Sequence, residues 1–250
     1  MSKREPYYLA AVVMCVTFLV FLPAVRNDFV NWDDYDYAYA NYHIRSLDWS
    51  FLKWAFTDIS LAGYWYPLVW TSHAIDYAIW GLNPFGYHLT SILLHSLNAF
   101  FATLLIIKLL KASGRSGAQI GASLLRDGRT ILIAGGVTGM LFGLHPLHVE
   151  PAVWVSDRKD LLYSLFYVLS LMSYADFVHR HEGRTSPDHR WSFLIQKSYL
   201  LSLGFFVLAL SCKTMAITLP AVLLLLDWYP FRRTLERRRL YQSLVEKIPY

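Results

Sequence analysis

The sequence predicts an all-α, polytopic membrane protein, and three observations carry that reading. Hydrophobic residues make up 55% of the 250-residue chain and the mean hydropathy is +0.32, too apolar for a soluble domain of this length. The apolar residues fall in blocks of membrane-span length instead of being spread along the chain. Many of the Trp and Tyr residues gather at the block edges, as in an interfacial belt.

The first block, residues 7–25, is apolar and uncharged, close to the roughly 20 residues that cross a ~30 Å hydrocarbon core. Lys3 and Arg4 precede it, but the stretch is long and no small-residue cleavage site follows Val25. It therefore reads as an uncleaved first helix, not a signal peptide. An external loop, 26–84, comes next. Ser46 is placed to cap a helix through Phe56, in which Leu47, Phe51, Trp54 and Ala55 recur at helical spacing. Pro67 suits the first turn of a second helix through Leu82. That helix carries His73 and Asp76 on one face and is expected to lie in the headgroup plane, apolar side down.

Three further spans are expected over 85–110, 131–147 and 161–178. Two shorter runs, 198–212 and 215–229, form either a tight helical hairpin or one span plus a re-entrant piece. Cys15 and Cys212 belong to apolar runs, so no disulfide is expected.

Basic residues orient the chain. Lys108, Lys111, Arg115, Arg126 and Arg129 crowd one loop; Arg180, Arg184, Arg190 and Lys197 another; Arg232, Arg233 and Arg237 to Arg239 a third. The alternate loops are acidic or balanced. The positive-inside rule then puts the amino terminus and the basic loops in the cytoplasm. Asp33, Asp34, the 145–160 segment and Lys213 gather on the opposite side. Because each basic loop alternates with a span, the net charge of +5 reflects topology and implies membrane lipids, not nucleic acid, as partners.

Four polar constellations collect on that outer side. Asp33 and Asp34 follow the first span in a Trp- and Tyr-rich loop. A carboxylate there can take a proton from an acceptor hydroxyl, while its neighbour orients the acceptor or raises the first group's pKa by repulsion. The bland alternative is a wet helix end, since two adjacent Asp residues are a weak motif. His145, His148 and Glu150 close the third span. Imidazole and carboxylate suit zinc or manganese, but the spacing matches neither a helical HExxH nor a finger pattern. A hydrogen-bonded cluster that shapes a pocket is expected instead, with His73 beside it, and a divalent metal is compatible but not demanded. Arg158 and Lys159 open the fourth span, and Lys213 stands alone between two apolar runs. Such cations suit a lipid phosphate or phosphate leaving group; the alternative is interfacial anchoring.

Several segments in order resemble a known family: Phe29-Val30-Asn31-Trp32-Asp33-Asp34, Gly81-Leu82-Asn83-Pro84-Phe85-Gly86-Tyr87-His88, Leu94-His95, His145-Pro146-Leu147-His148-Val149-Glu150, Arg158-Lys159-Asp160 and Lys213-Thr214-Met215-Ala216-Ile217-Thr218-Leu219-Pro220. The chain is similar to the membrane half of the transmembrane and tetratricopeptide-repeat O-mannosyltransferase-like proteins and their bacterial relatives. The resemblance implies a GT-C glycosyltransferase fold, with a polyprenyl-phosphate-linked sugar as donor and a protein hydroxyl as acceptor on the lumenal or periplasmic side. It carries the acidic motif of the first external loop onto Asp33 and Asp34, and the donor-site motifs onto the external His and Arg/Lys residues. It further implies that residues 1–250 are the amino-terminal part of such a domain, followed in the family by helical repeats of about 34 residues.

The expected function is therefore an inverting sugar transfer, with Asp33 as base, Asp34 as its partner and Arg158, Lys159 and Lys213 on the phosphate. His73, His145, His148 and Glu150 would shape the pocket. A bacterial inner membrane is expected, with the endoplasmic reticulum as alternative. A non-catalytic membrane scaffold presenting a repeat domain is the rival reading. A transporter fits less well, because the spans contain few charges.

Overall fold

The first helix, α1 (Glu5–Phe21), runs straight into a 3₁₀ segment, Leu22–Arg26, because Pro6 sits in its opening turn and Pro23 breaks the ladder only at the far end. The computed structural model describes residues 2–59, 63–115, 127–181, 192–233 and 237–250. Arg126, Arg184 and Arg190 of the expected cytoplasmic loops lie outside them. Among the described residues there is no strand.

The helices that follow are α2 (Trp49–Thr57), α3 (Pro67–Trp80), α4 (Pro84–Arg115), α5 (Gly128–Leu144), α6 (Val149–Val153), α7 (Arg158–His181), α8 (Lys197–Leu210), α9 (Leu219–Trp228) and α10 (Arg237–Glu246). Three are long and apolar enough to cross a membrane: α1 with its 3₁₀ extension, α4, and α7 with the turn before it. A fourth crossing is available if α5 and the segment Pro146–Val153, bent 49° apart, act as one span. The chain is thus an all-α, polytopic membrane protein. The two short apolar runs become separate helices, α8 and α9, joined through Ser211, Cys212 and Lys213. Cys15 and Cys212 are both free thiols.

Helix α4 is the central post. Phe21 of α1 packs on its start, with the Phe21 and His95 rings 4.9 Å apart, and α5 runs antiparallel along it. Four glycines of α5, at 135, 136, 139 and 143, are buried, and they let backbones approach closely where lipid supplies no hydrophobic drive between helices. A Cβ at Gly139 would lie 2.1 Å from Thr103 Oγ1, and one at Gly143 2.3 Å from Thr17 Oγ1. Helix α7 runs parallel to α4, tied by Asn98 Nδ2 donating to the Leu161 carbonyl at 2.9 Å and by a Lys108–Asp176 pair at 2.7 Å. Reciprocal hydroxyl bonds between Ser170 and Ser202 fasten α8 to α7.

One expectation is corrected in the outer loop. The cap of α2 is Asp48, whose carboxylate accepts from Phe51 N at 2.8 Å, and not Ser46. The chain at Ser46 is extended and finishes the preceding turn. A carboxylate three residues before the N–H it accepts is the better cap geometry here. Helix α3 does start at Pro67, but it ends at Trp80 because Gly81 adopts φ +60, a conformation that favours glycine. Asn83 then caps α4 by accepting from Phe85 N.

At the end of the bundle away from this loop, α10 closes a polar knot. Asp227 accepts from Tyr174 Oη at 2.8 Å and pairs with Arg233 and Lys247, while Glu246 pairs with Arg233 at 2.7 Å. The two carboxylates and two cations balance.

Replacing Gly139 with Leu should lower stability in detergent by about 1–3 kcal/mol through overpacking against Thr103. Rotation of that hydroxyl gives little relief, because Thr103 Cβ would remain 3.1 Å from the new Cβ. Gly204→Ala meets nothing within 4 Å and should hold or raise stability, by up to about 1 kcal/mol, because alanine loses less backbone entropy than glycine inside a helix. Thermal unfolding of both variants measures the difference.

Candidate active site

The two adjacent carboxylates have different surroundings. Asp34 is fully buried, whereas Asp33 is half-buried. One Asp34 oxygen accepts from Val30 N at 2.9 Å; the other accepts from Ser156 N at 2.9 Å and from the Ser156 hydroxyl. The expectation that Asp34 faces an acceptor is thereby corrected. Its side chain turns inward because the 30–34 turn leaves Val30 N without a backbone partner and the Ser156 turn offers two more donors. A carboxylate, with two acceptor oxygens, satisfies them together. Asp34 therefore anchors the outer loop to the turn before α7. Asp33 stays at the surface.

Tyr37 stands near Asp33 and links it to residues of two other segments. A π-helical turn, Tyr35–Tyr39, buries Tyr37. Burial first, then the neighbouring Tyr66 phenol and the Asp33 and Asp157 carboxylates, raise the Tyr37 phenol above its ordinary pKa. Tyr66 is raised likewise by burial, then by Tyr64, Asp160 and Asp157. Lys159 Nζ lies 5.4 Å over the Tyr37 ring and pairs with Asp157 at 2.7 Å. Lys213, extended between α8 and the 3₁₀ turn Thr214–Thr218, pairs with Asp160. These contacts collect Asp33, Tyr37, Tyr66, Asp157, Lys159, Asp160 and Lys213 at one end of the bundle.

Arg158 is elsewhere. Its side chain is wholly buried and its guanidinium pairs with Asp76 of α3 at 2.5 Å. It also donates to Ser72 Oγ at 3.2 Å and to the Tyr87 carbonyl at 2.7 Å. Thr90 donates to the second Asp76 oxygen at 2.7 Å. This arrangement ties α3, α4 and α7 together and leaves the guanidinium turned away from the outer surface. All three expected phosphate cations therefore have carboxylate partners in this structure.

His73 shares a face with Asp76, as its spacing suggests, but the face is buried and packs inward instead of lining an open pocket. Its ring stacks near Tyr87 and neither ring nitrogen has a hydrogen-bond partner. Burial, with the charges of Arg158 and Lys159 next, holds the imidazole well below its ordinary pKa. His145 and His148 build the break between α5 and α6. His145 Nδ1 accepts from Leu147 N at 3.2 Å, and His148 Nδ1 donates to the Phe142 carbonyl at 2.6 Å. Glu150 is exposed and lines a cleft of about 460 Å³ with Asn27, Asp28, Val30, His88, Val149, Val153 and Trp154. Among the described residues no group of three or more His, Cys, Asp or Glu side chains is placed to hold a metal ion.

Sequence reasoning passed over Ser156, Tyr37, Tyr66 and Trp154. Nothing in a serine next to an Asp marks it as the partner of a carboxylate 122 residues away. The aromatic richness of the loop was the available signal for the tyrosines.

An all-α membrane protein with Asp33, Asp157, Lys159, Asp160 and Lys213 gathered at one end of the bundle is the class these observations define. Comparison with known proteins narrows it. The chain is 30% identical to the protein O-mannosyl-transferase Tmtc2 of Drosophila melanogaster over 221 residues, covering 85% of this chain and 21% of that protein. It is 27% identical to the protein O-mannosyl-transferase TMTC4 of Mus musculus over 236 residues, 87% of this chain and 29% of that one. With the protein O-mannosyl-transferase TMTC2 of Mus musculus the identity is 33% over 108 residues, 43% of this chain and 11% of that one. No family model and no solved structure matches. The chain is homologous to this family of protein O-mannosyl-transferases over most of its own length, and spans less than a third of these relatives.

Replacing Asp34 with Asn sets an amide NH₂ against backbone and hydroxyl donors. Thermal unfolding should report a loss of about 1–3 kcal/mol, against less than about 0.5 kcal/mol for Asp33→Asn.

His73 gives a pH dependence. Its folded-state pKa lies below the unfolded value of 6.5, so the unfolded chain takes up the proton first as pH falls. Stability should therefore rise with pH below about 6.5, by at most ~1.4 kcal/mol per unit, and this contribution should be flat above it. Denaturant unfolding from about pH 5 to 7.5 should show a shallower slope in His73→Phe. An unchanged slope would place the proton uptake on another group.

Proposed function

We propose that this chain is the membrane part of a GT-C-like glycosyltransferase that moves a sugar from a polyprenyl-phosphate donor to a protein hydroxyl. The observation that carries this reading is the division of labour between adjacent carboxylates. Asp34 is consumed by three hydrogen bonds that hold the loop. Asp33, beside it, is left partly exposed near Tyr37, the residue that Asp157 and Lys159 also approach. A structural pair of wet loop residues has no need of this asymmetry.

In the proposed step Asp33 accepts the proton of the acceptor hydroxyl while that oxygen bonds to the anomeric carbon. The bond from that carbon to the phosphate oxygen breaks, and the lipid phosphate leaves with the electron pair. Attack opposite the leaving group inverts the anomeric centre. Lys159 and Lys213 are the cations near enough to the surface to meet the phosphate, by exchanging Asp157 and Asp160 for it. Arg158 acts through position, by holding α3 against α7. The relatives' names support a mannosyl group as the sugar and a protein as the acceptor.

The outer, lumenal or periplasmic, side is supported by the charge pattern, with Lys108 in the last turns of α4, Arg129 in the first turn of α5 and Arg180 in the last turn of α7, away from Asp33. The relatives reported are animal proteins, which favours an endoplasmic reticulum membrane. The bacterial inner membrane draws no support from them.

The test uses the full-length protein in membranes, with polyprenyl-phosphate-linked mannose and a protein acceptor. Asp33→Asn should slow transfer by about 10²–10⁴-fold, the usual cost of losing a general base, with unfolding temperature unchanged. Transfer at the wild-type rate would remove Asp33 from the chemistry.

A further inference from the structure

Helix α10 has the polarity of a water-facing helix reversed. Its polar residues turn toward the bundle, where Ser243, Glu246 and Lys247 are buried in the knot with Asp227, Arg233 and Tyr174. The Glu246 carbonyl accepts from Tyr199 Oη at 2.7 Å, which fastens the end of α10 to the first turn of α8. Its apolar residues turn outward. Leu240, Tyr241 and Leu244, with Ile248 in the turn that follows, are all exposed, Ile248 by 72%. Their spacing puts them along one side of the helix.

A helix on a wet surface does the opposite, with its apolar stripe to the core and its charges to water. Rolling α10 to hide the apolar side would strand Asp227 and Arg233 without their partners, a heavy penalty for buried charges. The apolar side is therefore held outward by the ion pairs behind it.

The surroundings of α10 indicate what covers that side. Asp227 is the penultimate residue of α9, and Tyr229, just past it, bonds to Ser113 near the end of α4 at 2.7 Å. The charge pattern assigns this end of the bundle to the cytoplasm. Trp228 and Tyr229 are each more than half exposed here, as aromatic rings are at a membrane–water boundary. Arg237, Arg238 and Arg239 open the helix, and Arg232 precedes it. Apolar side chains beside a run of arginines complement a leaflet of anionic lipid, acyl chains against the first and phosphates against the second.

We infer that α10 is an interfacial helix that binds anionic phospholipid. Leu240, Tyr241, Leu244 and Ile248 enter the acyl layer, and the arginines meet the lipid phosphates. The knot of Asp227, Arg233, Glu246 and Lys247 sets the depth of the helix. None of these contacts involves Asp33, so lipid binding at α10 and sugar transfer stand or fall separately.

Photocrosslinking of the full-length protein tests this in nanodiscs containing equal amounts of phosphatidylserine and phosphatidylcholine. Each lipid in turn carries a photoreactive group at the top of its acyl chain, and mass spectrometry maps the adducts. In wild type the peptide 237–248 should take adducts, with phosphatidylserine preferred. Arg237→Gln should lower that preference roughly fivefold, and Arg237→Gln with Arg238→Gln about 25-fold. Leu244→Gln should reduce adducts of both lipids on this peptide. Thermal unfolding checks that each variant is folded, and the exposed Leu19 and Val20 of α1 serve as the labelling standard. A wild-type protein labelled on α1 but bare on 237–248 would mean that protein covers α10, either a further segment of the chain or a second copy. That result would overturn the inference, as would equal labelling of 237–248 by the two lipids.

Discussion

A guanidinium buried at the end of a membrane bundle has to be neutralised, and at Arg158 that requirement decides where three helices meet. The charge cannot be shed, because Arg stays protonated in proteins. Asp76 supplies the counter-charge, and Ser72, Ser91 and the Tyr87 carbonyl take the remaining donors. These partners come from α3 and α4, so α3 is drawn against the head of α7. Removing one member of such a pair would strand the other, typically at a cost of about 3–5 kcal/mol. The loop after α1 is therefore held to the bundle by charge as well as by the apolar packing of Phe51, Trp70 and Leu162.

Once α3 is seated, the rest of the outer face follows. Leu68 N donates to the Ser211 carbonyl, which brings the joint between α8 and α9, and with it Lys213, to the same end. Asp34 closes the other side by gripping Ser156, two residues before Arg158. The loop is thus fastened on both flanks of the turn that opens α7. Asp33 lies between these fastenings without being part of either. That is a suitable place for a proton acceptor, since rigid surroundings hold a reacting group at a fixed position.

The apolar blocks and the basic loops were readable in the sequence because span length and charge alternation are local properties. Residues 7–25, 85–110 and 161–178 fall inside α1 with its extension, α4 and α7. What escaped was partnership at a distance. Asp33 and Asp34 look identical in sequence, and only the donors on Val30 and Ser156 separate them. Arg158 and Lys159 are neighbours with different surroundings, one wholly buried against Asp76 and one partly exposed beside Asp157, because successive helical residues point in different directions. The same limit hid the Asp227–Arg233–Glu246–Lys247 knot. Of its two cations only Arg233 belongs to a basic loop that orients the chain, and Lys247 carries no local signal of its partner.

The two polar ends also explain why the middle of the bundle can be so plain. Between them α5 meets α1 and α4 through glycines, and α7 meets α8 through tyrosine, phenylalanine and leucine, apolar packing that sets helix distance with little net attraction between helices in lipid. Such packing alone would leave neighbouring helices free to slide. The Arg158–Asp76 ion pair and the hydrogen bond from Tyr174 to Asp227 oppose that sliding, since each requires its partners in register along α7, near its beginning at Arg158 and past its middle at Tyr174. A helix pinned at two levels fixes the height of its first turn, and that turn carries Asp157, Lys159 and Asp160. The position of the candidate site in the membrane is therefore set in part by charges at the far end of the bundle.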